Sequence, residues 1–313
     1  MIDQALVNGV CVSAWTFDEL YGRDGKFLDA LEARGQVFVA EIPVDFRGWV
    51  RKPTILHEGP ENTGLGRPKD YPRLAAGHHS SEVRNLARHS PVFRKQSWQR
   101  YRIKDTDSGP EVWEVKWAVL WRKGQDGLPN RRHCLIVARN VITDEVKYFL
   151  SNRVPGECNP VTGQSVTLRW LLRVAFGRWS IESCFRQGKE ELGLDHYEVR
   201  GWRCVHRHFY LTGLSHLFCA RVRQQYDDSP GDHVDRITVE QVRRAMNVWL
   251  DAADLPLSSR RQRFEDERDK QQYHQRRNRQ ARVSHTKTRI AHLNALGIDI
   301  AQIKSCLPDT TEP

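Results

Sequence analysis

The sequence predicts a mixed α/β fold with an antiparallel β unit and a basic, helical C-terminal part. Three observations predict it. Residues 1–42 alternate helix, strand, helix and strand patterns, which is the signature of an α/β sheet. Residues 98–151 hold four strand-like runs separated by turn residues. From about residue 165 onward the periodicity is helical, and the chain ends in a stretch dense in cations.

Taken in order, residues 1–9 read as the end of an amphipathic helix with Ile2, Ala5 and Leu6 on one side and Gly9 closing it. "VCVSAWTF", 10–17, reads as a buried strand with Asp18 at its carboxyl end. "GKFLDALEAR", 25–34, reads as a short helix with Phe27, Leu28 and Leu31 inward and Gly35 as its stop. "QVFVAEI", 36–42, is a second strand, ended by Pro43. Residues 46–80 are rich in Gly, Pro and His and read as loop. "SSEVRNLARH" follows as a helix with a serine N-cap. The four strands are "WQRYRIKD", "EVWEVKWAVLW", "HCLIVARN" and "KYFLSN". Trp98, Trp113, Trp117 and Trp121 then belong to the core or a sheet face. One long helix is expected over about 165–190, "GLDHYEVRGW" as a connector and an apolar helix over 203–225. "TVEQVRRAMNVWL", 238–250, is amphipathic with a Thr N-cap and a downstream Glu.

The chain has 313 residues, a hydrophobic content of 39% and a charged content of 28%, which suits a globular protein of two or three domains. The sequence shows no apolar run of membrane-spanning length and no signal-peptide pattern, so a cytoplasmic, nucleoid-associated protein with no membrane partner is expected. Seven scattered cysteines without a CxxC pair suggest neither a disulfide framework nor a zinc site. The net charge of +10 favours a polyanionic partner, nucleic acid first. Residues 260–289 hold eleven Lys or Arg against four acids, with Arg276, Arg277 and Arg279 in the densest part.

The candidate site residues begin with Asp18. A carboxylate just past a buried strand sits where α/β sheets place their sites, although Asp before "ELYG" also suits a turn. Arg178, Glu182 and Lys189 are spaced four and seven apart, which keeps them on one helix face. Arg186 adds a further cation to that helix, while Trp179 and Ile181 read as its anchors to a core. A charged stripe is usually the solvated side of a helix. Paired with a strand-end Asp, however, a helix Glu flanked by cations can hold Mg²⁺ (or Mn²⁺) beside a phosphodiester. Asp18 and Glu182 are therefore the candidate catalytic residues and metal ligands. Arg178, Arg186, Lys189, Arg276, Arg277 and Arg279 are the candidate DNA contacts, with holding the active-site helix as the alternative role of Arg178 and Lys189.

"GRWSIESCFRQGKEELGLDHYEVRGW" resembles the glutamate-bearing signature of bacterial insertion-sequence transposases of the DDE, RNase H-like superfamily. That signature runs Tyr, two residues, Arg, three residues, Glu, six residues, Lys; Arg178, Glu182 and Lys189 match, and Ala175 departs from the tyrosine. The stretch from Ala14 to Pro43 resembles the segment around the second catalytic Asp, which would be Asp18. The resemblance implies a partial RNase H-like sheet and metal-dependent DNA cleavage and strand transfer. The implied partners are transposon ends and target DNA, bound by a homodimer. It also implies four regions: a partial core over 1–45, a mostly β insertion over 46–160, the helical part of the core over 161–225 and a basic helical tail over 226–313. The strands that carry the family's first catalytic Asp have no counterpart upstream of Asp18. An N-terminally truncated copy or a mis-called start is therefore expected, inactive by itself. The competing reading is a non-catalytic basic DNA-binding relic or regulator of transposition.

Overall fold

The computed structural model describes residues 2–58, 70–227 and 237–307. The chain divides into two compact units, Met1–Arg178 with Thr286–Pro313, and Trp179–His285.

In the first unit, α1 (Ile2–Val7) is closed by Gly9 at φ 75°, a conformation that costs glycine nothing. β1 is only Trp15–Phe17. Residues 10–14, expected as its first half, lie outside it. The Ser13 carbonyl is taken by the Asn159 side chain at 2.8 Å, so this stretch is held by a loop and not by a neighbouring strand. α2 (Glu19–Gly22) and α3 (Gly25–Ala33) follow, then β2 (Phe38–Glu41). Asp24 caps α3 by accepting from the backbone N–H groups of Lys26 and Phe27, and Gly35 ends it at φ 67°.

Short strands β3 (Arg47–Trp49), β4 (Ile55–Leu56) and β5 (Arg73–Leu74) occupy the region expected as loop, and β6 (Ser81–Glu82) takes the start of the helix expected after it. Part of that loop, 59–69, lies outside the described residues. α4 is Val83–His89. The serine expected to cap it, Ser81, pairs with Gly48 in the sheet instead, and Glu82 stands at the cap without a side-chain bond. α5 (Pro91–Arg94) has Ser90 as its cap. β7 (Gln99–Thr106), β8 (Gly109–Lys123), β9 (Pro129–Asn140) and β10 (Val146–Ser151) fall where the alternation and turn residues place them.

β3 and β6 to β10 share one sheet with the α/β segment, while β4 and β5 form a separate antiparallel pair. β1 pairs in parallel with β2, β2 pairs antiparallel with β10, and the order continues β10-β9-β8-β3-β6, with β7 beside β8. β11 (Lys304–Ser305) returns to pair with β7, after a 3₁₀ turn at Ile300–Gln302. The Phe38–Ala40 run is buried on both sides, as a strand covered on both faces must be. On one face Val39, Trp113, Ile136 and Phe149 pack with Leu171, Leu172 and Ala175 of α6 (Leu168–Gly177). On the other, Phe38, Ala40, Leu135 and Leu150 pack with Leu28 and Leu31 of α3 and with Val83 of α4.

The long helix expected over 165–190 is two helices. α6 ends at Gly177, and α7 runs Trp179–Leu192 in the second unit. Arg178 stands between them with helical dihedrals, φ −52° and ψ −38°. α8 is Trp202–Asp227, α9 is Val239–Asp251 and α10 is Leu257–Ala295. The second unit's core is Cys219, Val239 and Val242, with Leu192, Val222 and Met246 against them. Thr238 caps α9 in a reciprocal capping box whose partner is Gln241, not the expected Glu. Trp179 and Ile181, expected as anchors, are both 50% exposed. Only Gly188 of α7 is buried, so its contact with the rest of the unit sits in its C-terminal half. Trp113 is buried and Trp117 packs on the first core cluster. Among the cysteines, Cys134, Cys219 and Cys306 are buried free thiols; burial pushes Cys306 up to about 11 despite Arg169 and Arg173 nearby.

Candidate active site

Asp18 follows the last residue of β1 and is half-buried. Its Oδ1 accepts from the backbone N–H groups of Leu20 at 3.1 Å and Tyr21 at 3.4 Å, which makes it the N-cap of α2. The two readings of this residue, strand-end carboxylate and turn former, thus coexist. One carboxylate oxygen holds the one-turn helix, and that bond fixes the direction of the other.

The neighbouring strand ends in a second carboxylate that the sequence reading passes over. The last paired residues are Phe17 and Ala40, so Asp18 and Glu41 occupy the adjoining positions of the two parallel strands. Glu41 Oε1 lies 3.0 Å from Lys147 Nζ on β10, and Glu41 Oε2 lies 4.0 Å from Arg178 Nε. All three side chains are mostly buried, at 15%, 26% and 24% exposure. The signal was present: "FVAE" before Pro43 has the same form as "WTF" before Asp18, an apolar run closed by one acid. Arg178, a candidate DNA contact, is thus engaged by a carboxylate at the sheet's end. Ala175, at the signature's tyrosine position, is buried against the sheet. Phe176 next to it packs on Trp113 and Phe149, with ring centroids 4.8 and 5.2 Å away.

In the second unit Glu182 lies in the first turn of α7 and Lys189 in its last. Each charge therefore complements the helix dipole. Seven residues apart, they share one face, and both are exposed together with Arg186. Arg276, Arg277 and Arg279 are exposed on α10, where Arg277 donates to the Tyr273 hydroxyl at 3.4 Å. Among the described residues no group of three or more His, Cys, Asp or Glu side chains is placed to hold a metal ion. Nor is any described helix long and apolar enough to cross a membrane.

A strand-end Asp capping a one-turn helix, on a parallel pair inside a mixed sheet, is the arrangement that the N-terminal segment contributes. That segment matches the family model described as DDE superfamily endonuclease over residues 1–110. Over residues 1–110 the chain is similar to the DDE superfamily endonucleases. No curated protein matches the chain. The matched segment contains Asp18 and Glu41, whereas Arg178, Glu182 and Lys189 lie beyond it. The family match thus covers a different part of the chain from the glutamate signature.

Proposed function

We propose that the protein is an insertion-sequence transposase that cuts DNA and joins the ends to a target, with Asp18 and Glu182 as its carboxylate pair. The observation that carries this reading is the position of Asp18 at the carboxyl end of a parallel strand in an endonuclease segment. Hard carboxylate oxygens suit Mg²⁺ or Mn²⁺. Asp18 has one oxygen not engaged in capping, and Glu182 is exposed, so both carboxylates are chemically fit to hold such an ion. When bound, the ion would supply Lewis-acid activation of a water or a 3′-hydroxyl. The protein's own residues do the remaining work. The α2 cap orients Asp18, Glu41 pairs with Arg178 at the entry to α7, and Lys189 and Arg186 take DNA phosphate. The four-region division of the chain and a homodimer on DNA belong to the same reading.

The test is calorimetry of Mn²⁺ binding to the full chain and to Asp18→Asn and Glu182→Gln. Each substitution should weaken binding at least tenfold. Equal affinity in all three proteins would sink the pair.

A second reading, a non-catalytic DNA-binding regulator, is favoured by α10. From Lys270 to Ile298 the chain has seven Lys or Arg and no acid. Plasmid nicking with Mg²⁺ or Mn²⁺ separates the two. DNA binding without nicking, unchanged by Asp18→Asn, is the regulator's behaviour.

A further inference from the structure

The first unit has a cleft of about 510 Å³ beside the carboxyl ends of β1 and β2. Arg23, Arg47, Arg122 and Lys123 line it, against a single carboxylate, Asp45. Four cations in one cleft is a high concentration of like charge, and each must be held there or neutralised.

Two are held. The Arg122 side chain is only 3% exposed; it donates through Nη1 to the Gly25 carbonyl at 3.3 Å and through Nη2 to Asp29. Its buried Nε–H finds no acceptor among the described residues. Gly25 makes the approach possible, since a Cβ there would stand 2.6 Å from Arg122 Nη1. Arg47 donates to the Ser80 carbonyl at 2.8 Å and lies 3.8 Å from Glu82. The other two cations are uncommitted. The side chains of Arg23 and Lys123 are exposed and make no hydrogen bond or ion pair among the described residues.

A fixed, buried guanidinium on one wall and two uncommitted cations at the rim form an electropositive cleft with unmet donors. That is the chemistry of an anion site, and planar and point cations together suit a phosphate. Its location narrows the choice. Arg23 directly follows the one-turn helix that Asp18 caps, so the cleft opens about 6 Å of helix away from that carboxylate.

We propose that this cleft seats a phosphodiester of a nucleic-acid strand passing Asp18. The identity of the strand rests on the DNA reading above; the cleft itself rests on the geometry of the first unit.

The experiment uses the full chain and Arg23→Glu/Lys123→Glu, both surface changes that leave Arg122 and Arg47 in place. Circular dichroism checks the fold. Duplex binding is followed by anisotropy across a salt series, beside Arg276→Glu/Arg277→Glu/Arg279→Glu. Removing two phosphate contacts should make the log–log salt slope shallower by about 1.8. An unchanged slope, with the α10 variant impaired, overturns the proposal. If the wild-type chain binds no duplex, the DNA reading fails by itself. Calorimetry with inorganic phosphate then decides the cleft. Phosphate binding lost in the double variant keeps the anion site but overturns the strand as its occupant. No phosphate binding overturns both.

Discussion

Glu32 Oε1 on α3 lies 2.6 Å from His133 Nε2 on β9, inside the first unit. Both side chains are buried, at 7% and 0% exposure. His133 Nδ1 faces the Arg131 carbonyl at 2.8 Å. The ring thus faces an oxygen at each nitrogen. Burial pushes the Glu32 carboxyl up, but the hydrogen bond and charge of His133, with Arg122 and Arg131, outweigh it. The carboxyl therefore lies below its usual value.

A first prediction follows for stability. Glu32→Ala leaves the buried His133 ring without its hydrogen-bond partner at Nε2, a change that costs about 1–3 kcal/mol. Since the folded carboxyl is depressed, its contribution is present above the unfolded value of 4.5 and is lost as pH falls through the lower folded value. Urea unfolding followed by tryptophan fluorescence should show wild type losing stability below pH 4.5 and Glu32→Ala showing less of that loss. Parallel pH profiles would remove Glu32 as the cause.

Arg178 gives the second prediction. Its Nε lies 4.0 Å from Glu41 Oε2, and the expectation is that it serves this carboxylate rather than DNA phosphate. Single and double variants Glu41→Gln and Arg178→Gln should couple by about 0.5–3 kcal/mol in a stability cycle. Arg178→Gln should leave the salt slope of DNA binding unchanged. Additive stabilities together with a shallower slope would return Arg178 to the DNA contacts.

The β-rich half of the first unit was legible because its signals are local. In β7 to β10 the alternation and turns fix the elements, and Gly35 and Pro43 bound their neighbours. What could not be read is set by partners distant in sequence. Asn159, 146 residues away, takes the Ser13 carbonyl and shortens β1. Pairing of Ser81 with Gly48 removes the expected cap of α4. The joining of β2 to β10, which merges the α/β and antiparallel strands, has no local signature at all. In the candidate site, Asp18 was legible from its strand. Glu41 stands inside the run read as the second strand, but its place beside Asp18 and its bond to Lys147 depend on the strand register. The apolar Trp179 and Ile181 misled because helical periodicity shows which residues share a face, not whether anything covers it.

The third prediction concerns α10 as a DNA contact. Arg260, Arg261, Arg263 and Arg268 in its first third are matched by Glu265, Asp266, Glu267 and Asp269, and Arg261 pairs with Glu265 at 3.1 Å. The stretch from 270 to 298 holds no acid. Reversing Arg276, Arg277 and Arg279 should reduce the log–log salt slope by about 2.7, as three lost phosphate contacts require. Reversing Arg260, Arg261 and Arg263 should change it far less. Equal losses from both triplets would mean that net charge, not the acid-free segment, drives binding.

The last prediction comes from the sheet's edge. Among the described residues β1 pairs only with β2, so its other side is open. Trp15 N–H donates to the Val37 carbonyl at 2.8 Å, toward β2. By the alternation of a strand, the Thr16 N–H points to the open edge. Beside that edge lies an apolar groove lined by Trp15, Phe17, Tyr21 and Phe27, with a volume of about 590 Å³. An open edge next to apolar surface is a template for strand addition between copies. A proline at 16 removes the outward donor without breaking a bond to β2. Thr16→Pro should therefore lower concentration-dependent association and raise the soluble yield, with the circular dichroism unchanged. The measurement is light scattering across a concentration series of both proteins. Equal association of wild type and a folded Thr16→Pro would show that β1 is not where copies meet, and would direct attention to the exposed Leu211, Leu214 and Leu217 of α8.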